Sequence, residues 1–208
     1  MRAKTGPSST PAWGSESSPR SRPSASTRRK RRRAWIAPPA EGRRSGSLRG
    51  VRIGIHVGHW EGRPHDVAEL AVEAERAGFD SVWTSETWGS DGAVLLAWIA
   101  AHTDRIGLGA GVLQMPARSP AAAAMAALTL DHLSEGRFRL GLGVSGPQVA
   151  EGWHGDPFEG PIARTREYVD IVRSVLRREA PVTAPGPNYP LPLPGGAGKA
   201  LKPNVRPL

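Results

Sequence analysis

Arg105-Ile-Gly-Leu-Gly-Ala-Gly-Val-Leu113 and Gly136-Arg-Phe-Arg-Leu-Gly-Leu-Gly-Val-Ser145 decide how this chain is read. Each is a short, mostly apolar run interrupted by glycine, which suits a strand covered on both faces. The intervening segment, 119–133, is rich in Ala, Leu and Met; Ser119 suits a helix N-cap and Pro120 the first helical turn. A strand, helix, strand unit of this length implies parallel pairing through a right-handed crossover. Gly109, Gly111, Gly143 and Gly146 lie toward the C-terminal ends of the two runs. Glycine inside a strand costs stability and marks a bulge or a close backbone approach. Parallel α/β folds place their ligands at those strand ends. The alternative is that glycine only lets strands pack closely on helices. Gly141-Leu-Gly-Val-Ser-Gly146 has the G-x-G-x-x-G spacing, but it runs on through Pro147-Gln148 into what reads as a loop rather than opening a helix, so a nicotinamide Rossmann site is rejected.

The same alternation extends outward. Val51-Arg-Ile-Gly-Ile-His-Val57 reads as a first strand ending at Gly58-His59-Trp60, and Phe79-Asp-Ser-Val-Trp-Thr-Ser85 as a second ending at Glu86-Thr-Trp-Gly89. A helix is expected over 64–77, with Val67, Leu70, Ala71 and Ala74 as its apolar stripe and Gly78 just past its end. Another is expected over 92–102, capped by Asp91, with Leu95, Leu96, Trp98 and Ile99 toward the core. A third spans 161–179, with Ile162, Thr165, Tyr168, Val169, Val172, Val175 and Leu176 on one face. Residues 146–158 read as a loop. So does the Pro- and Gly-rich 181–207 segment. Four strands alternating with four helices argue for an α/β fold of parallel βαβ units. A complete eightfold β/α barrel takes ~250 residues, so this length suits about half of one; the alternative is a small open sheet. In the half-barrel reading Ile55, Val82, Leu108 and Leu140 face inward, and the outer strands are unpaired edges.

Charge is distributed unevenly along the 208 residues, whose net charge is +9. Residues 1–50 hold 13 Lys and Arg against 2 Asp and Glu, or +11; the rest holds 28 − 13 = 15 against 19 − 2 = 17, or −2. Residues 1–49 lack an apolar period and are expected to be a disordered tail, leaving 50–208 as the folded domain. The run Arg28-Arg-Lys-Arg-Arg-Arg33 offers the only route to a nucleic-acid partner, and a non-functional extension is the simpler reading. Ala34-Trp-Ile-Ala-Pro-Pro39 is too short and too proline-broken for a signal peptide, and no apolar run approaches ~18 residues. A cytoplasmic location without a membrane partner is therefore expected. The absence of cysteine excludes disulfides, thiolate zinc sites and cysteine nucleophiles. Histidine spacing suggests no metal site, and neither a nucleophile elbow nor a P-loop occurs, which argues against a hydrolase or NTPase.

Gly109-Ala-Gly-Val-Leu113, Leu130-Asp-His-Leu-Ser-Glu-Gly-Arg137, Gly141-Leu-Gly-Val-Ser-Gly-Pro-Gln148 and Glu151-Gly-Trp-His-Gly155, in that order, resemble the luciferase-like monooxygenase family. The likeness is greatest to its branch that uses the deazaflavin coenzyme F-420, and it covers 49–208. It implies the N-terminal half of a TIM-type barrel. It also implies an oxidoreductase that moves a hydride between coenzyme F-420 and a small-molecule organic substrate. An FMN-dependent monooxygenase of the same fold, or a relic whose basic tail binds nucleic acid, are the alternatives. The resemblance places a bulge with a non-proline cis peptide at Gly111–Val112, against which the coenzyme ring lies. Ser145, Gly146 and Gln148 would offer a hydroxyl, backbone N–H groups and an amide to its polyol and phosphate tail. His56 and Glu86, at strand ends, would position or protonate a substrate. Trp60, Trp88 and Trp153 could wall an apolar pocket, with Thr87 beside it. Several similar enzymes carry histidine where Thr87 stands, and a threonine cannot act as a general acid near neutral pH. A complete protein is expected to be a homo-oligomer.

Because the excess positive charge precedes Val51, deleting residues 1–50 should leave helix content by circular dichroism and the thermal midpoint unchanged. A clear fall in the midpoint would show that the tail packs on the domain.

Overall fold

In the computed structural model of the chain, residues 51–57 and 66–208 are described. The basic tail, and Trp60 at the end of the first strand, lie outside them. Strands β1 (Gly54–His56), β2 (Ser81–Thr84), β3 (Gly107–Ala110) and β5 (Phe138–Arg139) form one sheet in that order; β4 (Leu113–Gln114) and β6 (Leu142–Gly143) form a second pair, and all pairings are parallel. Helices α1 (Asp66–Ala77), α2 (Gly92–Ala100), α3 (Pro120–Leu133) and α5 (Pro161–Arg177) alternate with them. The expected loop after Ser145 contains a four-residue helix, α4 (Pro147–Ala150), in which the Val149 and Ala150 amides donate to Gly146 O at 3.1 and 2.8 Å. Two expected caps are present: Asp91 accepts from Val94 N at 3.0 Å and Ser119 from Ala122 N at 3.2 Å. Gly78 takes φ +86° past the end of α1, a backbone conformation that glycine adopts freely.

Register determines which strand face meets the helices. Ile55, Val82, Leu108 and Phe138 stand side by side across the sheet. Val82 and Leu108 are fully buried, in a core shared with Ala71, Ala74, Leu96, Ile99 and Leu130 of the helices. Ile55, Val82, Leu108 and Leu140 therefore pack into the helix layer rather than facing inward as expected. The next row, His56, Trp83, Gly109 and Arg139, projects from the opposite face, because successive side chains of a strand alternate. There the large residues depend on glycine neighbours. A Cβ on Gly109 would lie 2.2 Å from the Trp83 ring, and one on Gly107 2.6 Å from Arg139 Nη1.

The break between β3 and β4 is a one-residue bulge. Gly109 pairs with Arg139, an offset of 139 − 109 = 30, whereas Leu113 pairs with Leu142, an offset of 142 − 113 = 29. Three residues on one strand thus oppose two on the other. Without the extra residue Leu108 and Leu113, of opposite parity, would face opposite sides; both are fully buried in the same core. The peptide bond within the bulge, Gly111–Val112, is cis, at the position implied by the family resemblance. The strands expected over 105–113 and 136–145 are accordingly two short pieces each.

Helix burial follows the predicted stripes in part. Ala71 and Ala74 are buried but Leu70 is 52% exposed, and Ala68 takes its place, so α1 presents its alanines to the sheet. Leu95, Leu96 and Ile99 are buried whereas Trp98 is exposed. In α5 the buried set is Tyr168, Ile171, Val172 and Val175; Ile162, in the first turn, is exposed. These residues form a second core with Met115, Ala123, Ala124, Leu128 and Val182. The Tyr168 hydroxyl donates to Arg118 O at 2.9 Å, and burial pushes its pKa up. The 181–208 segment holds no strand, only an antiparallel bridge between Ala184 and Leu191. Glu167 pins it by accepting from Asn188 N at 2.9 Å.

Glu75 joins α1 to the start of β3. Its carboxylate accepts from the amides of Arg105 and Ile106 at 2.7 Å and of Asp104 at 3.1 Å. Burial opposes ionisation, but the bonds from Ile106, Arg105 and Asp104 outweigh it and hold the pKa below its ordinary 4.5. The contribution to stability is therefore present above the ordinary value and is lost as pH falls toward the lowered native one. In urea unfolding from pH 7 to 3, the wild-type midpoint should fall more than that of Glu75→Gln, and the two curves should converge at the acid end. Parallel curves would remove Glu75 from the pH dependence.

Gly141 sits where a Cβ would lie 2.2 Å from Ala110 O, a backbone atom that cannot swing aside, whereas Gly198 has open space. Gly141→Ala should cost ~1–3 kcal/mol by urea unfolding, as overpacking does, while Gly198→Ala should be near neutral. Equal midpoints for the two variants would contradict the close approach.

Candidate functional site at the strand C-terminal ends

The C-terminal ends of the strands bring together most of the residues singled out from sequence. His56 closes β1, is exposed, and has Nε2 3.0 Å from Ser85 Oγ at the end of β2. Gly111 is exposed and Val112 half-buried. The Val112 side chain lies against β6: a Cβ on Gly143 would be 2.5 Å from Val112 Cγ2, and one on Gly141 3.4 Å from Val112 Cγ1. Glycine on the neighbouring strand thus makes room for the valine and seats the cis bond. Gly111 N donates to Thr84 O at 2.6 Å and Glu86 N to Val112 O at 3.2 Å, tying both sides of the bond to β2.

Ser145 takes φ +65° and precedes Gly146, the N-cap of α4. Gln148 is exposed; among the described residues neither the Ser145 hydroxyl nor the Gln148 carboxamide makes a hydrogen bond within the chain. Thr87 is half-buried, its carbonyl accepting from Gln114 Nε2 at 2.6 Å, and Trp88 is 56% exposed. Trp153 is 65% exposed, while Trp60 lies outside the described residues.

Glu86 has a different environment. It is 8% exposed, and four donors converge on its carboxylate: Arg118 Nη2 at 2.7 Å and Gly92 N at 3.0 Å on Oε1, Arg118 Nη1 and Gln114 N at 2.7 Å on Oε2. Arg118 also donates to Asp91 Oδ2 at 3.0 Å. Its pKa is raised, chiefly by the hydrogen bonds to Glu86. Arg118 and Gln114 were missed in the sequence reading. The available signal was physical: a glutamate at the end of a buried strand needs a countercharge, and Arg118 is the cation in the turn between the bulged strand and α3. Among the described residues no group of three or more His, Asp or Glu could hold a metal ion, and no helix is long and apolar enough to cross a membrane.

Comparison with known proteins agrees with this geometry. A Mycobacterium tuberculosis protein named as a coenzyme F-420-dependent oxidoreductase is 58% identical over 164 residues, covering 76% of this chain and 47% of that protein. The F-420-dependent tetrahydromethanopterin reductase of Methanopyrus kandleri superposes with a TM-score of 0.63 at 26% identity, over 76% of this chain and 47% of its own. The FMN-bound oxygenating constituent of 3,6-diketocamphane monooxygenase from Pseudomonas putida superposes with a TM-score of 0.58 at 25% identity, over 67% of this chain and 42% of its own. The chain thus spans about half the length of the relatives it matches. The sequence pattern of one family matches residues 44–207. With that match, and with the parallel strands and the glycine-lined bulge in place, the chain belongs to the luciferase-like monooxygenase family.

Proposed function

We propose that this chain forms the N-terminal half of a β/α barrel oxidoreductase that binds coenzyme F-420 across the Gly111–Val112 bond. The observation that carries the proposal is the exposed Gly111 in the strand-end bulge, with its neighbour Val112 packed against Gly141 and Gly143. Gly111 has no side chain to stand between its peptide and a flat ring, and a Cβ there would already touch Trp83 at 3.4 Å. The 58% identity to a protein named for coenzyme F-420 supports deazaflavin over flavin. The four-stranded sheet, with β1 and β5 outermost among the described residues, fits half of an eight-stranded barrel.

Coenzyme F-420, when bound, supplies hydride exchange with the substrate at C5 of its deazaflavin ring. The chain's own residues orient the partners. Ser145 and Gln148 would take the polyol and phosphate tail through the hydroxyl and carboxamide they hold free, with Gly146 allowing close backbone approach. His56, exposed and bonded to Ser85, would hold or deliver a proton at Nε2. Thr87, Trp88 and Trp60 would border a small organic substrate. The reading places the enzyme in the cytoplasm as a homo-oligomer, with no role for the basic tail.

A fluorescence titration of the chain, extended by the C-terminal half of its mycobacterial relative, should show coenzyme F-420 binding at least tenfold more tightly than FMN. Equal or reversed affinities would move the assignment to the flavin branch. Gly111→Val should weaken coenzyme F-420 binding by a similar factor, because a branched side chain would fill the ring's place.

A further inference from the structure

The carboxylate of Glu86 has no lone pair left for a substrate. A carboxylate accepts about four hydrogen bonds, and four donors are in place, two on each oxygen. Their origins are informative. Gly92 N opens α2, Gln114 N lies two residues beyond the cis bond, and Arg118 lies in the turn before α3. Glu86 itself follows β2, and its own amide bonds Val112 O at 3.2 Å. One side chain therefore ties together the β2–α2 loop, the far side of the bulge and the β4–α3 turn. Close packing supports this arrangement: a Cβ on Gly92 would lie 3.1 Å from Glu86 Cγ. Gln114, 3% exposed, adds a second tie through Thr87 O.

We infer that Glu86 and Arg118 are positioning residues, a buried ion pair that fixes the Ser85 to Trp88 segment against the Gly111–Val112 bond. On the coenzyme reading proposed above, on which this inference rests for its functional consequence, the pair sets the floor on which the ring lies. Glu86 then acts through its neighbours and is not the proton donor. The bidentate geometry requires guanidinium, since a lysine ammonium cannot present two parallel N–H donors to one carboxylate. Glutamine at position 86 would turn an NH2 donor toward Arg118 and either Gly92 N or Gln114 N.

The test measures amide hydrogen exchange of the 208-residue chain, wild type, Arg118→Lys and Glu86→Gln, and titrates coenzyme F-420 by fluorescence into the same three sequences extended by the C-terminal half of the mycobacterial relative. In Arg118→Lys, which keeps the charge and should fold, the Gly92 and Gln114 amides should exchange at least tenfold faster. Amides of α5 should be unaffected, and coenzyme affinity should fall at least tenfold at temperatures well below unfolding. Glu86→Gln should reproduce both effects if it folds. Unchanged protection of Gly92 and Gln114 in Arg118→Lys would overturn the inference. Faster exchange with undiminished affinity would overturn its functional half, leaving an ion pair with only a structural role. Should the extended wild type take up no coenzyme F-420, the coenzyme reading fails, and the exchange data still decide whether the pair fixes the loop.

Discussion

One extra residue in the third strand governs much of this structure. Leu108 and Leu113 are both needed in the helix-facing core, yet a regular strand would send side chains five apart to opposite faces. Inserting a bulge between them restores the parity and places the Gly111–Val112 peptide at the surface, on the rim where the strand ends converge. Burying a leucine contributes ~1.5–3 kcal/mol, so the core itself favours the bulge. The same packing requirement that stabilises the domain also exposes the backbone of Gly111 at the strand ends.

Glycine supplies the remaining room. Trp83 and Arg139 lie over Gly109 and Gly107, Val112 lies over Gly143, and Ala110 O approaches the Gly141 Cα. The first two contacts shape the sheet face opposite the helices; the last two hold the bulge in place. Of the roles anticipated for these glycines, close packing operates at Gly107, Gly109, Gly141 and Gly143.

Glu86, at the end of a buried strand, is engaged by the chain's own donors. Its carboxylate is enclosed by donors from three segments, and removing one partner of a buried ion pair costs ~3–5 kcal/mol. His56, in contrast, is exposed and has a single partner in Ser85 among the described contacts. The two residues had looked alike in sequence, each a titratable side chain at the C-terminal end of a strand. Solvation and the count of donors separate them.

The sequence by itself determined the alternation of strands and helices, the caps at Asp91 and Ser119, the glycine past α1 and the family that the ordered motifs identify. Those features are local: capping and apolar runs depend on residues a few positions apart. The family likeness also located the cis bond. Only the tertiary structure decided which strand face meets the helices, so Ile55, Val82, Leu108 and Leu140 were assigned to the wrong side. The runs are apolar on both parities, and register with neighbouring strands breaks the tie. It likewise decided that Leu70, Trp98 and Ile162 stay exposed, because a helix's buried arc depends on what it packs against. Arg118 and Gln114 emerged for the same reason: they lie 32 and 28 residues from Glu86, and no local pattern records a bond that forms only when β2 and β4 are side by side.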